Sequence, residues 1–447
     1  MNIRRALYAL LCLGAAVLAG CNTGNGVGAL PINTTVRVVN LVPNAPPITF
    51  SVDGTPLVSG LAFEQQTLYL DTTEGSHEFT VTDGGNSTLV DVTETLANGQ
   101  ANTFVVFGPQ DAAGSQLLVD TPITIPQNGT TVTLPNGGTF AVRLANLAEG
   151  VGAVDMYLTA PGADLAFTAP TIIGVAVGVI TAYVPLTTGS YEVRFAATGT
   201  KNVIFDTGTV VPFGDQSIVE AVTYGKGSSK LVGLDLLTVN TTQGAAQIYQ
   251  NLLAQFKLVN ASSVGPPLNV LVDGALTLTN VPFAGVSNYV KTLAKTQTLS
   301  IESTATPGAS LLTFTVDFSP ATDSSIVVSG PAGALQELVL TDNNMPSPTG
   351  RARVRFVNAS PGLASLDVYV NFVPTFAGVL SNTASAYTEL VANVTGSTFN
   401  IGFNIAGTTT PVLVLPKVTF VAGTTYTVYV VGSGSAPQGV VVSDSLQ

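Results

Sequence analysis

The chain has 447 residues, of which 46% are hydrophobic and only 9% charged, a balance that excludes an intrinsically disordered protein. The formal net charge of −12 repels phosphate backbones, so we expect no nucleic-acid partner. Two cysteines and one histidine argue against a disulfide framework or a zinc site, and we expect no metal or cofactor.

The N-terminal segment has the organisation of an export signal. Arg4 and Arg5 precede an apolar run at residues 6–17, which is too short to span a bilayer core. The tetrapeptide Leu18-Ala19-Gly20-Cys21 follows, and it resembles the bacterial lipobox. This order predicts a lipoprotein signal peptide at residues 1–20, cleavage between Gly20 and Cys21, and lipid attachment to Cys21. A plain secretory signal with a chance cysteine and a retained membrane helix are the alternatives.

Lipidation would set both the location and one partner of the protein. The acyl chains would insert into a membrane, since two or more of them give stable anchoring. We expect a cell-envelope protein outside the cytoplasm, in the outer membrane if the host is Gram-negative. Residues 21–33, rich in glycine and asparagine, are expected to form a flexible tether.

Beyond residue 33 one short pattern recurs four times. A basic residue, two small or apolar residues and an asparagine recur as Arg37-Val38-Val39-Asn40, Arg143-Leu144-Ala145-Asn146, Lys257-Leu258-Val259-Asn260 and Arg355-Phe356-Val357-Asn358. The asparagines are 106, 114 and 98 residues apart, which is the size of a β-sandwich domain. The repeats predict four units, at residues 34–122, 139–238, 254–342 and 351–447, of which the second is divergent. Between the second and third, residues 245–253 are compatible with a short helix.

Within each unit the hydrophobic pattern has a period of two. In the last unit Leu366, Val368 and Val370 alternate with Asp367 and Tyr369, which is typical of strands with one face in a core and one in water. The Asp-Gly pairs at 53–54 and 273–274 predict hairpin turns. We therefore predict an all-β chain of four tandem immunoglobulin-like antiparallel β-sandwich domains behind the lipoprotein signal peptide. In series, units of about 35 Å each would project roughly 100–150 Å.

The last unit also carries a family resemblance. The segments A-R-V-R-F-V-N-A-S-P-G at 352–362, L-D-V-Y-V-N at 366–371 and T-Y-T-V-Y-V-V-G at 425–432 resemble the domain of unknown function family DUF4397. The first and third units match in part. The resemblance implies a secreted or surface bacterial protein, often a lipoprotein, but it implies no activity.

Residues that could carry catalysis are few. The only histidine, His77, is expected to lie exposed on a strand rather than to serve a nucleophile. The acids closest in sequence are Asp71 with Glu74 and Asp317 with Asp323, which could serve a glycosidase but are also common in sandwich turns. We therefore expect no catalytic residues.

Binding candidates are similarly weak. Asp342, Asn343 and Asn344 supply oxygen ligands at the third junction and form a weak calcium candidate, although a plain linker is favoured. Tyr157 and Tyr369 are expected to point outward, where they could contact a glycan or a protein.

Two further segments admit alternative interpretations. Residues 351, 353 and 355 are arginines on one strand face, expected to protect an edge strand and to pair with acidic neighbours. Residues 171–186 are apolar and uncharged, but they are short for a membrane span and rich in β-branched residues, so a hairpin is favoured.

These observations favour a non-enzymatic structural or interaction protein held to a membrane. A carbohydrate- or peptide-binding module for adhesion or nutrient capture is the alternative. A hydrolase is the least favoured interpretation.

Overall fold

The structure is a computed structural model that describes residues 34–43, 45–120, 125–127, 130–132, 135–226, 230–239 and 245–444. Almost all regular structure in these ranges is β-strand, with two short 3-10 segments at Gln110–Ala112 and Leu165–Phe167. No helix in the described part of the chain is long and apolar enough to span a bilayer. The predicted all-β class, with antiparallel sheets paired as sandwiches, is confirmed.

The first unit is made of two facing sheets. We call the sheet that contains a unit's first strand the inner sheet, and its companion the outer sheet. The inner sheet has the order β4-β1-β8-β9 with β5 also on β1, and the outer sheet has the order β3-β2-β6-β7. The strands are β1 (Thr35–Leu41), β2 (Ile48–Val52), β3 (Thr55–Leu61), β4 (Gln65–Gln66), β5 (Leu70–Asp71), β6 (Gly75–Thr82), β7 (Thr88–Leu96), β8 (Ala101–Phe107) and β9 (Gly114–Val119).

A short hairpin and then the second unit follow. The hairpin consists of β10 (Ile125–Gln127) and β11 (Thr130–Val132). The second unit contains β12 (Thr139–Leu147), β13 (Val154–Thr159), β14 (Ile172–Val175), β15 (Val179–Ile180), β16 (Val184–Thr187), β17 (Gly189–Ala197), β18 (Val203–Phe213), β19 (Ile218–Gly225), β20 (Val232–Thr238) and β21 (Ala246–Tyr249). Its inner sheet has the order β15-β12-β19-β20-β21 with β16 also on β12, and its outer sheet the order β14-β13-β17-β18.

The third unit repeats this plan with fewer strands. Its inner sheet has the order β25-β22-β28-β29, and its outer sheet the order β24-β23-β26-β27. The strands are β22 (Leu253–Ser262), β23 (Leu268–Val272), β24 (Ala275–Val281), β25 (Val290–Leu293), β26 (Thr296–Ser303), β27 (Ser310–Asp317), β28 (Asp323–Gly330) and β29 (Gln336–Asp342).

The fourth unit completes the described chain. Its inner sheet has the order β33-β30-β37-β38 with β34 also on β30, and its outer sheet the order β32-β31-β35-β36. The strands are β30 (Arg351–Asn358), β31 (Ser365–Val370), β32 (Val373–Leu380), β33 (Thr383–Ala384), β34 (Thr388–Val391), β35 (Ser397–Ile405), β36 (Pro411–Phe420), β37 (Thr425–Ser433) and β38 (Ala436–Ser443).

Each inner sheet contains one parallel pair, which the sequence pattern did not predict. The pairs are β1 with β8, β12 with β19, β22 with β28, and β30 with β37. Between the two strands of a pair the chain builds the outer sheet and the short edge strands of the inner sheet, and it then returns beside the first strand in the same direction. A parallel pair needs such a long crossover connection.

The asparagine of the repeat has a structural cause in every unit. Asn358 is buried, and its Nδ2 donates to the carbonyl oxygens of Leu363, at 2.8 Å, and Val379, at 3.3 Å. Its Oδ1 accepts from the Ser360 amide at 3.3 Å. The equivalent amide nitrogens bond the carbonyl oxygens of Leu61, Val175 and Val281. The asparagine thus joins the first strand of the inner sheet to the last residues of an edge strand of the outer sheet (β3, β14, β24 or β32). It satisfies backbone groups that burial would otherwise leave unpaired.

The predicted hairpin turns are present. Asp53 and Asp273 have φ of 49° and 48°, and the glycines that follow them also have positive φ. Such values at both central positions are those of a type I′ turn, which matches the twist of the flanking strands.

The central strands of the inner sheets are buried on both faces, so the prediction that one face of each strand meets water is wrong for them, whereas the edge strands β29 and β38 keep exposed residues. All seven residues of β1 and all eight of β28 are buried. The second face is covered because units pack in pairs through their inner sheets. We call the contact between units one and two, which includes Val39, Val105 and Val222, the 1–2 interface. The contact between units three and four, which includes Val259, Val357 and Tyr429, is the 3–4 interface.

The two pairs of units also contact each other. The Lys291 ammonium of the third unit donates to Asn202 Oδ1 of the second. Met345 and Pro346, which precede the fourth unit, lie beside Gly225 and Gly150 of the second. The expected extended series of units is therefore wrong, because the apolar second faces of the inner sheets are buried against each other.

The prediction for the segment between the second and third units is also wrong. The short helix considered for residues 245–253 is absent, and β21 pairs instead with β20 and extends the inner sheet. Ala246 and Ile248 on β21 pack against the 1–2 interface, which explains the choice of strand. The apolar residues 171–186 form β14, β15 and β16.

Candidate functional site

The lipidation and cleavage residues, Gly20 and Cys21, lie outside the described residues. The same holds for the whole predicted signal peptide and tether. Their assignment remains a prediction from sequence.

His77 is 8% exposed, so the expectation of an exposed histidine is wrong. Its Nδ1 lies 2.7 Å from Asp53 Oδ2, and its Nε2 lies 3.0 Å from the carbonyl oxygen of Thr73 and 3.3 Å from the Thr73 hydroxyl. The hydrogen bond with Asp53 raises the pKa of His77, although burial opposes it. These contacts hold the hairpin turn of β2 and β3 against β6.

Of the two acidic pairs considered for hydrolysis, the structure places one on two different sheets. Asp317 is exposed at the end of β27 in the outer sheet, whereas Asp323 is buried on β28 in the inner sheet. Asp71 and Glu74 are both exposed beside β5.

Tyr157 is only 1% exposed, so its predicted outward contact is wrong. Leu165 and Ala196 pack against it, and the Lys201 ammonium lies 4.9 Å from the centre of its ring. The 3-10 segment and the turn after β17 cover the face of the outer sheet that the alternation predicted to be exposed.

Tyr369 is half-buried and lines a groove of about 300 Å³ on the outer sheet of the fourth unit. Phe372, which is 83% exposed, stands at its rim, and Gly402 leaves the floor beside Tyr369 open. Phe372 has a φ of 66° and occupies the turn position that glycine occupies in the first and third units. This position costs a residue with a side chain about 1–2 kcal/mol.

The calcium candidate lies in the 3–4 interface and has protein partners. Asp342 is fully buried, pairs with the Arg355 guanidinium, and accepts two contacts from the Ser325 hydroxyl at 2.7 and 3.0 Å. Asn344 turns its Nδ2 toward Asp323, and Asn343 Oδ1 accepts from Arg353. A guanidinium therefore occupies the place of a metal ion. No group of three or more histidine, cysteine or acidic side chains in the described ranges is arranged to hold a metal.

Arg353 and Arg355 are buried on a central strand, so the prediction of an edge strand is wrong. Both have the acidic neighbours that were expected: Arg353 Nε donates to Glu389 at 2.8 Å, and Arg355 pairs with Asp342. The edge position failed because β33, β34 and β37 flank β30 on both sides.

The basic residue of each repeat stacks on a tyrosine at its inter-unit interface. The guanidinium or ammonium lies 4.7–5.0 Å from the ring centre in all four units. The four pairs are Arg37 with Tyr69, Arg143 with Tyr183, Lys257 with Tyr289, and Arg355 with Tyr387. A desolvated cation over an aromatic face is stabilised by about 2 kcal/mol.

Each basic residue also faces a hydroxyl or carboxylate on the parallel strand. The partners in register are Thr103, Ser325 and Thr427 in the first, third and fourth units, but Glu220 in the second. In those three units an aspartate stands where the last long strand ends, namely Asp120, Asp342 and Asp444. The second unit has Val239 at that position, bonded to Ile218 as Asp444 is to Thr425. In the second unit the carboxylate is therefore that of Glu220, on the neighbouring strand β19, and it pairs with Arg143.

In the 3–4 interface the ion pairs are reciprocal. Lys257 of the third unit pairs with Asp444 of the fourth, and Arg355 of the fourth pairs with Asp342 of the third. Burial raises the pKa of Asp444, although Lys257 opposes it. The pKa of Lys257 is raised, because Asp444, Tyr429 and Asp342 outweigh the effect of its burial. The charges thus hold the two units in one register.

The 1–2 interface contains a buried carboxyl group, that of Asp235, without a hydrogen-bond partner among the described residues. Asp235 is fully buried, and this holds for both of its carboxylate oxygens. Burial raises its pKa to about 7, although Arg37 opposes it. The register places Gln116, Leu338 and Val440 at this position in the other units. An ionised form at this site lacks the compensation that the other buried acids have.

These tyrosines and aspartates were not predicted from the sequence. Tyr69, Tyr289 and Tyr387 each follow the repeat asparagine by 29 residues, and Tyr183 follows it by 37. The offset of 29 residues shared by three units was the available signal. It was not used because a lone tyrosine or aspartate on the polar side of a strand is ordinary.

Comparison with known proteins gives one family and little else. The family model described as "Domain of unknown function (DUF4397)" matches residues 34–157, 254–369 and 354–447. No curated protein matches the chain. Among solved structures, "The Bacillus anthracis TIE protein" is 9% identical over 89% of this chain and 68% of that chain, with a TM-score of 0.16. At that score the likeness adds nothing to the account of this chain.

Proposed function

The chain belongs to the DUF4397 family and carries tandem copies of its domain. From its own residues we propose that it is a lipid-anchored protein of the cell envelope, outside the cytoplasm, with a non-enzymatic structural or interaction role. The membrane is its partner through the N-terminal lipid, in the outer membrane if the host is Gram-negative. Its units act as a packed, rigid body that presents its outer sheets to other envelope components.

One observation carries the non-enzymatic part of this proposal. The ionisable residues that recur from unit to unit, among them Lys257, Arg355, Asp342 and Asp444, are buried against each other between units. Catalytic groups need access to a substrate. Ionisable groups that hold two sheets together instead favour a role in stabilising the assembly.

The lipid anchor is supported by the order of charge, apolar run and lipobox in residues 1–21. Its test uses the two cysteines of the chain as a matched pair. Cys21→Ala is expected to abolish labelling by a fatty acid and to release the protein from the membrane fraction. Cys12→Ala, inside the predicted signal peptide, is expected to leave both unchanged. Continued labelling of Cys21→Ala would contradict the anchor.

The interaction role has its own test, because anchoring alone does not establish it. Crosslinking in intact cells followed by capture of the chain is expected to recover the same envelope component repeatedly. A catalytic role would show instead as turnover that is lost in His77→Gln or when Asp71 and Glu74 are replaced.

A second candidate function, glycan binding, is favoured by Phe372. A strained and exposed aromatic residue beside Tyr369 is typical of a stacking platform for a sugar ring, and strained residues concentrate at functional positions. Asn400 and Asn404 add amide groups to the same groove.

The strain gives this second candidate a distinctive test on a glycan array. Phe372→Gly, which introduces the glycine that the first and third units have at this turn, is expected to abolish binding while raising stability by about 1 kcal/mol. Phe167→Gly, at an equally exposed phenylalanine (92%) in the second unit, is the control for binding. An array without any reproducible sugar would refute the candidate.

A further inference from the structure

A cleft of about 670 Å³ lies where the second, third and fourth units meet. Asn202 and Lys230 come from the second unit, residues 287–291 from the third, and residues 440–443 from the fourth. None of these segments is near another in sequence, so the cleft exists only in the packed chain.

The charged side chains that line this cleft are opposite in sign to the net charge of the protein. Three of the seven lysines of the chain, Lys230, Lys257 and Lys291, line it, in a chain whose net charge is −12. Among the described residues that line it, every charged side chain is a lysine. Low-dielectric walls concentrate the field of such charges and raise the local concentration of anions.

The three lysines differ in how their charge is matched. Lys257 is neutralised by Asp444 in the 3–4 interface. Burial lowers the pKa of Lys230, with Asp323 opposing it, and burial alone lowers the pKa of Lys291. The Lys291 ammonium donates to Asn202 Oδ1, which is a neutral acceptor. A half-buried ammonium bonded to a neutral amide gains free energy when an oxyanion reaches it.

Neutral donors and an apolar wall complete the lining. Asn288 and Ser443 supply an amide and a hydroxyl group, and the side chains of Val286 and Val441 form part of the wall. The cleft therefore offers a small molecule both hydrogen-bonding groups and an apolar wall.

We propose that this cleft binds a small organic anion, whose carboxylate or phosphate group is held by Lys291 and Lys230. The cleft is independent of the aromatic groove of the fourth unit and of the lipid anchor. Both oxyanions share the chemistry that lysine recognises, so the experiment has one arm for each.

The test is isothermal titration of the chain from residue 34 onward with inorganic phosphate, citrate and galacturonate. At least one probe is expected to bind, with an affinity that falls as salt rises. Lys291→Gln is expected to weaken binding about tenfold or more, Lys230→Gln less, and Lys291→Arg is expected to retain it. Lys417→Gln, at an exposed lysine on β36, is the matched control and is expected to bind as the unaltered chain does.

Amide chemical shifts of the unaltered chain provide a readout that does not depend on a variant folding. They are expected to move at residues 202 and 287–291 with the probe that binds. Binding of phosphate alone assigns the oxyanion as phosphate, and binding of citrate or galacturonate assigns it as carboxylate. The proposal is overturned if no probe binds at about 10 mM, if the shifts lie elsewhere, or if Lys291→Gln and Lys417→Gln behave alike.

Discussion

The reciprocal ion pairs of the 3–4 interface make a prediction that separates them from surface pairs. Lys257→Met leaves Asp444 buried without its cation. Removing one partner of a buried pair costs about 3–5 kcal/mol. If the third and fourth units unfold together, as a cooperative unit of about 150–250 residues, each kcal/mol lowers Tm by about 2–4 °C. Lys257→Met is therefore expected to lower the Tm of that transition by about 6–20 °C in calorimetry.

Two further variants control this experiment. Lys257→Met combined with Asp444→Leu removes both charges, and its stability is expected to return close to that of the unaltered chain. Lys295→Met breaks the pair of Lys295 with Asp273, which are 3.4 Å apart and 54% and 44% exposed, and should cost no more than about 1 kcal/mol. If Lys257→Met melts within about 2 °C of Lys295→Met, the account of the interface is wrong.

Three other predictions concern single residues. Asn358→Ala leaves the Leu363, Val379 and Ser360 backbone groups without their bonds and should cost about 2–4 kcal/mol in urea unfolding, against little for exposed Asn393→Ala. The pKa of Asp235 is about 7 in the fold against 3.8 in the unfolded chain, so the native state binds a proton that the unfolded state has lost. The contribution of Asp235 to stability therefore falls by up to about 4 kcal/mol as pH rises from 4 to 7. Asp235→Asn should be more stable than the unaltered chain at pH 8 and should lose that advantage near pH 4. The single histidine signal in NMR should titrate above pH 6.5, and Asp53→Asn should lower the pKa of His77. A raised pKa of His77 stabilises the fold below pH 6.5, and this stabilisation is lost as pH rises through the pKa of the folded state.

The repeat and its turns could be predicted because their signals are local. The asparagine of each repeat is fixed by backbone groups of its own unit, and the Asp-Gly pairs are fixed by the φ values of a two-residue turn. The strands follow from alternation in the same way. Asp53 and Asn358 therefore lie where the sequence analysis placed them.

What covers the second face of a strand could not be read from alternation. Arg355, Asp342 and Asp444 occupy the polar side of their strands, and polar residues there indicate water unless another unit supplies partners. Tyr157 was misplaced for the same reason, since a 3-10 segment covers its face. The lysine cleft joins residues 202, 291 and 441 from three units, and no local pattern brings them together.

The central claim is that the units pack in pairs through buried, charged inner faces instead of standing in a row. Small-angle X-ray scattering of the chain from residue 34 onward tests it most directly. A compact chain of this length has a radius of gyration of about 22 Å, and paired units are expected to give about 22–28 Å. A row of four units, each about 35 Å long, would give about 40 Å. A value near 40 Å would contradict the account.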